Sequence, residues 1–282
     1  MHRRYALAIV AALAILSAGC ATSAPDTTVL GASESQVVTS QVSSERSTTT
    51  TQTPRSTTTS TTTSTTAPTT EAPTDPHRSV IATARSSIGA LVTYEEPNGN
   101  PIALPFVVPN PHQFGGPLTL MVTEGDIGDD WVKVQLPIRP NGLEGWIPTE
   151  HYALGETFMR AEVDLGSTSV RVFDGERLVL ESQSAIGTPQ TPTPIGTFYV
   201  AAKRRNPPEE QHLGEWSVVL SSFSEVLETF SGGLPVIAIH GTHNPEAELG
   251  EELTNGCVRV PNDVMQLLAE QLPLGAPISV SS

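Results

Sequence analysis

The sequence predicts a mainly β protein built as two modules, with one helix near the C-terminus. Three observations carry this. Apolar residues alternate at period two in short stretches such as Trp131-Val132-Lys133-Val134-Gln135, the pattern of a half-buried strand. Turn pairs punctuate those stretches, among them Asn98-Gly99, Gly115-Gly116, Gly125-Asp126, Asn141-Gly142 and Asp174-Gly175, which favour tight reversals. Helical spacing is clear at one place: Val264, Leu267, Leu268 and Leu272 follow Asn262 or Asp263 as a cap, and Pro273 and Gly275 stop the pattern.

The chain has 282 residues, a length that suits about two folded units. It carries 30 acidic and 15 basic residues, a net charge of −15, and 17 of those acids but only 7 bases fall from Glu156 onward. No nucleic-acid partner is expected, because phosphates need a basic footprint.

The N-terminus has the make-up of an export signal. Arg3 and Arg4 precede an apolar run over 5–18, shorter than the ~20 residues needed to span a bilayer core. Leu16-Ser17-Ala18-Gly19-Cys20 resembles a bacterial lipobox, with Ser17 at a position where Leu is more usual. The resemblance implies a signal peptide over 1–20, acylation of Cys20, and a protein held at the cell membrane facing the wall. Residues 21–78 are rich in Thr, Ser and Pro, including Pro54, Pro68, Pro73 and Pro76. Such a linker cannot bury enough apolar surface to fold and is expected to act as a stalk of roughly 40 Å. The chain has two cysteines, Cys20 and Cys257, so acylation of the first leaves the second as a lone thiol in an exported protein.

A small β module is expected over 79–155, with strands near 88–94, 102–108, 118–123, 131–136 and 145–147. Asp130-Trp131-Val132-Lys133-Val134 with Leu143-Glu144-Gly145-Trp146-Ile147 resembles bacterial SH3-like barrels. His112 and His151 are isolated and read as surface residues.

The last segment, 156–282, has strand patterns at 161–165, 169–173, 178–182, 198–202, 216–221 and 236–239. The last is an apolar run that ends at His240-Gly241-Thr242. Further on lies Thr254-Asn255-Gly256-Cys257-Val258-Arg259. An imidazole beside a thiol can take its proton and activate it. Gly256 would allow a tight turn and close substrate approach, the Cys257 amide could stabilise an oxyanion, and Arg259 could orient a carboxylate. Spacing alone leaves other readings open. His240, His243 and Cys257 could hold zinc, though no fourth ligand is evident. Lys203-Arg204-Arg205 reads as a solvated edge or a grip on anionic glycan, Trp216 as core, His212 and His243 as loop residues, and 246–252 as an exposed acidic loop, with a part of the acceptor side for a cationic amine as the alternative.

His240-Gly241-Thr242 and Thr254-Asn255-Gly256-Cys257-Val258-Arg259, together with Gly187-Thr188-Pro189 and Thr193-Pro194-Ile195-Gly196-Thr197-Phe198, resemble the signature of L,D-transpeptidases with a YkuD-type catalytic domain. The resemblance covers about 161–280. It implies a β-sandwich catalytic domain, Cys257 as nucleophile, His240 as general base, and the Gly241 carbonyl holding the His240 ring. Arg259, Thr254, Asn255 and Gly256 fall at the substrate-binding and supporting positions. Asn255 departs from the family, which more often has His there. The implied reaction acts on peptidoglycan stem peptides: a Cys257 thioester forms with release of D-alanine, and an amine of a second stem resolves it to a 3→3 cross-link. Water as acceptor would give an L,D-carboxypeptidase instead, and a chain that had lost turnover would be a wall-binding lipoprotein. Carbapenems are expected to acylate Cys257, and no cofactor or metal is implied. Activation by His240 would have the thiol titrate below the ordinary value of about 8.5.

Overall fold

A computed structural model describes residues 75–282. The expected signal peptide, the acylation of Cys20 and nearly all of the expected stalk lie outside the described residues. Among those described, no helix is long and apolar enough to cross a membrane.

The first module is one antiparallel sheet. Its strands are β1 (Ser79–Ala84), β2 (Thr119–Glu124), β3 (Trp131–Gln135), β4 (Glu144–Pro148) and β5 (Tyr152–Thr157), in the order β4-β3-β2-β1-β5. Burial alternates along β1, β3 and β4, so period two places Ala82, Val132, Val134 and Ile147 in the module core with Leu118, Leu120 and Tyr152. Two expected strands are absent. Residues 88–94 make only isolated bridges, Ala90 with Pro109 and Tyr94 with Pro101 and Trp146, and 102–108 make none. Pro97, Pro101, Pro105 and Pro109 recur through this stretch, and a proline has no N–H for a ladder. The pairing falls instead to β1 and β5, whose Ala and Gly content hid them. Their ladder runs from Ser79 opposite Thr157 to Ala84 opposite Tyr152.

The second module has the six expected strands and four that the sequence pattern did not reveal. It comprises β6 (Met159–Asp164), β7 (Ser169–Asp174), β8 (Arg177–Gln183), β9 (Ile186–Gly187), β10 (Gly196–Arg205), β11 (Trp216–Phe223), β12 (Val236–Thr242), β13 (Glu252–Thr254), β14 (Val258–Pro261) and β15 (Pro277–Ser281), of which β9, β13, β14 and β15 are the four unexpected ones. Eight of these form a sheet in the order β14-β12-β11-β10-β15-β6-β7-β8, and β13 pairs with β9. The sheet curls until its edges approach. Just past β8, Ala185 exchanges backbone hydrogen bonds of 2.9 and 2.8 Å with Arg259 of β14.

A short helix, α1 (Pro245–Glu248), interrupts what the sequence suggests is plain loop, and α2 (Asn262–Gln271) packs on the sheet. The buried face of α2 is Met265, Leu268 and Ala269, with Leu272 just beyond, while Leu267 stays 40% exposed. The expected apolar stripe is thus rotated, with Met265 and Ala269 replacing Leu267. Neither Asn262 nor Asp263 caps α2: the N-cap is Pro261 and no side chain bonds there. The Asn262 amide instead fills the space beside Gly241 and Gly214.

The two modules share a buried seam. Tyr199 and Ala201 of β10 belong to the core of the first module. Gln135 Nε2 donates to the Thr197 carbonyl at 2.6 Å, and its Oε1 accepts from Ser221 Oγ at 2.9 Å. The Asn141 side chain donates to Phe223 O and accepts from Phe223 N, at 2.8 and 2.9 Å. Because Gln135 and Ser221 are buried, losing one leaves the other unsatisfied. Gln135→Leu is expected to lower stability by about 1–3 kcal/mol in chemical denaturation. An unchanged midpoint would show the seam to be incidental.

Candidate active site

The site is built on the parallel pair β12–β14. Their register sets Ile239 opposite Val258, His240 opposite Arg259 and Gly241 opposite Val260. Ile237, Ile239, Val258 and Val260 point into the core. Period-two alternation therefore turns Ala238, His240, Cys257 and Arg259 to the other face. Cys257 and His240 are diagonal neighbours there, with Cα atoms roughly 8 Å apart by the standard strand spacings.

The turn that delivers Cys257 is braced from below. Thr254 is 3% exposed. Its hydroxyl donates to the Cys257 carbonyl at 2.6 Å and accepts the Gly256 N–H at 3.1 Å. Thr254 O in turn accepts from Thr188 N at 3.1 Å and Thr191 Oγ1 at 3.0 Å. Gly256 has φ +108°, and a Cβ there would lie 2.9 Å from Ile237 Cδ1 and 3.3 Å from Pro192 O. Gly187 is equally committed: a Cβ on it would sit 2.4 Å from Thr191 O. Thr254 and Gly256 are thus buried framework of the turn, and Asn255 is its exposed member.

His240 is 4% exposed. Its Nδ1 lies 2.8 Å from Gly241 O. A carbonyl only accepts, so Nδ1 carries the proton and Nε2 keeps a free lone pair. Burial pushes the imidazole down to about 4; the bond to Gly241 O opposes that shift, and Arg259 adds to it. The ring is therefore neutral, and a proton acceptor, at pH 7. Cys257 is a free, partly exposed thiol. Burial pushes it above its ordinary value, against the opposing pull of a backbone hydrogen bond from Ala238 and the charge of Arg259. This corrects the expectation of a lowered thiol: at rest both partners are neutral, because the half-enclosed site disfavours the thiolate–imidazolium pair.

Arg259 is not free. Its Nη1 lies 3.0 Å from Glu248 Oε2. The same oxygen accepts from Thr242 Oγ1 at 2.6 Å, and its Nε is buried without a partner among the described residues. Burial pushes Glu248 up, but the hydrogen bonds from Thr242 and Arg259 outweigh it and leave the carboxyl below the ordinary range. In the sequence Glu248 falls in the acidic stretch 246–252, which reads as an exposed loop or part of the acceptor side and not as a partner of Arg259. Its only sequence signal is its place between the two motif halves, since the contact depends on α1 folding back.

The remaining candidates lie elsewhere. Lys203 Nζ donates to Leu272 O at the end of α2, Arg204 pairs with Glu210 and Arg205 with Glu215. The basic run is thus largely tied within the fold. His243 Nε2 bonds Gln211 O. Trp216 packs partly buried against the core. His112 is half-buried beside Phe114 in an apolar cavity at the module seam, away from Cys257, whereas His151 is exposed as expected. Among the described residues, no group of three or more His, Cys, Asp and Glu side chains is placed to hold a metal ion.

Residues 159–280 match the model of the YkuD family, described as an L,D-transpeptidase catalytic domain, and the match supports such a domain over that segment. The chain is 29% identical over 122 residues to YkuD of Bacillus licheniformis, covering 43% of this chain and 65% of that one. It is 28% identical over 119 residues to YkuD of Bacillus subtilis, covering 42% and 63%. It thus spans less than two thirds of either relative. Among solved structures, the catalytic domain from E. faecium L,D-transpeptidase aligns at 23% identity and TM-score 0.32, over 44% of this chain and 96% of that one. The L,D-transpeptidase from Mycobacterium smegmatis aligns at 14% and TM-score 0.36, over 72% and 99%.

Two outcomes follow from this geometry. Gly256→Ala is expected to cost about 1–3 kcal/mol of stability, whereas Gly89→Ala, with open space around it, should stay within about 0.5 kcal/mol. Denaturant titration compares them. A thiol raised by burial has less thiolate at neutral pH, so iodoacetamide labelling of Cys257 should climb with pH through a midpoint above about 8.5. Peptide mass spectrometry reads it, and a midpoint below that value would contradict the neutral resting pair.

Proposed function

We propose that this protein is a peptidoglycan L,D-transpeptidase that works as a cysteine acyltransferase and is tethered to the cell membrane through acylated Cys20, with its folded modules held toward the wall. The observation that carries this reading is the shared face of one sheet from which Cys257 and His240 emerge, with the His240 ring oriented through Nδ1. The family match of 159–280 supports the chemistry.

In this reading the resting thiol and imidazole are both neutral. The thiol proton passes to His240 Nε2 as Sγ attacks the amide carbonyl after the third, L-centred residue of a stem tetrapeptide. The Gly256 N–H is occupied by Thr254, which leaves the Cys257 amide as the local oxyanion donor. One such donor contributes about 3–4 kcal/mol. When the tetrahedral intermediate collapses, the C–N bond breaks and His240 returns its proton to the leaving D-alanine amine. A thioester remains on Cys257. The side-chain amine of a second stem then attacks it, the thiol leaves protonated through His240, and a 3→3 cross-link results. Water in place of the amine yields a trimmed tripeptide. A thiol raised by burial loses more in thiolate fraction than it gains in nucleophilicity, so its proton has to pass to His240 as Sγ attacks.

Incubation with a carbapenem, followed by intact-mass measurement, tests the reading together with D-alanine release from a disaccharide tetrapeptide. Wild type is expected to gain the drug mass and to release D-alanine. Cys257→Ala should do neither while keeping its melting temperature, and His240→Ala should acylate on the order of 10²–10⁴-fold more slowly. Wild type with no adduct and no released D-alanine would leave a wall-binding role in its place.

A further inference from the structure

We infer that Glu248 is a positioning residue for substrate binding: it holds the Arg259 guanidinium beside His240 and Cys257, and so sets the donor that receives the acyl-donor peptide. The inference rests on the reading above and extends it to a residue outside the signature motifs.

The geometry points to it in three ways. First, Glu248 is half-buried, and a single oxygen of its carboxylate serves two donors, Arg259 Nη1 at 3.0 Å and Thr242 Oγ1 at 2.6 Å. Thr242 is 3% exposed and also accepts the Asn244 N–H at 3.1 Å. The chain Asn244–Thr242–Glu248–Arg259 therefore ties the end of β12 to β14. Second, Arg259 lies opposite His240 in the register. A long side chain there has many rotamers, and only a fixed partner confines it to one. Third, the Arg259 Nε–H is buried with no acceptor among the described residues. The side chain as a whole is 28% exposed, so with Nη1 held by Glu248 the guanidinium still offers donors to an incoming carbonyl or carboxylate oxygen. An unheld Arg259 would still be charged but would meet the peptide in the wrong place, and misplacement alone erodes turnover.

The test is a double-mutant cycle in the full chain, with kcat and KM for D-alanine release, iodoacetamide labelling of Cys257, and Tm for each variant. Glu248→Ala is expected to lower kcat/KM about tenfold, mainly through KM, without slowing the labelling of Cys257, because a small reagent needs no guanidinium. Glu248→Gln, which can still accept from Arg259 and Thr242, should recover most of the loss. The double variant Glu248→Ala/Arg259→Ala should match Arg259→Ala alone, since Glu248 acts through Arg259. The inference is overturned if Glu248→Ala equals wild type. It is equally overturned if its loss multiplies onto that of Arg259→Ala, or if labelling falls with turnover, either of which marks a merely structural brace. A wild type that neither releases D-alanine nor takes up a carbapenem overturns the transpeptidase reading and this inference together, whereas the preceding outcomes in an active wild type bear on Glu248 alone.

Discussion

The site depends on one register, the parallel pairing that sets His240 opposite Arg259. Side chains alternate along a strand, so a shift of one residue in β14 would drive Cys257 and Arg259 into the core and expose Val258 and Val260. The apolar cost of that exchange holds the register. Val258, Val260, Ile237 and Ile239 are each no more than 2% exposed, and each contributes about 1.5–3 kcal/mol on burial. The core of the domain and the alignment of thiol and imidazole are thus one constraint seen from two faces of the sheet. The backbone exchange between Arg259 and Ala185 fixes β14 from its other side, so that strand is held along both edges.

The turn before β14 shows how local chemistry serves that register. Thr254 uses one hydroxyl to close the turn over Gly256 and Cys257, and the loop from Gly187 to Thr193 supports it from outside. Each glycine in this assembly stands where a Cβ would strike backbone or a packed side chain. The same economy governs Gly241, whose missing side chain leaves room for Asn262 while its carbonyl orients His240.

Electrostatics refine rather than create the site. Burial keeps the imidazole and the thiol neutral, and Arg259 bears on both: it disfavours a charged His240 and favours a thiolate. Glu248 offsets the first effect.

The sequence by itself determined six strands of the second module and the glycine-bounded motif around Cys257, because period and turn chemistry are local properties, while the candidate roles of Cys257, His240 and Gly241 came from the resemblance of that motif to a family signature. It misplaced two strands in the proline-rich stretch from Pro97 to Pro109 and missed β1 and β5, since whether a stretch pairs depends on a partner strand far along the chain. The buried face of α2 was likewise decided by the sheet beneath it. Only the tertiary structure decided that Glu248 holds Arg259 and that the resting thiol is raised. Both follow from which groups are buried together, and burial is a property of the packed molecule that no run of residues carries alone.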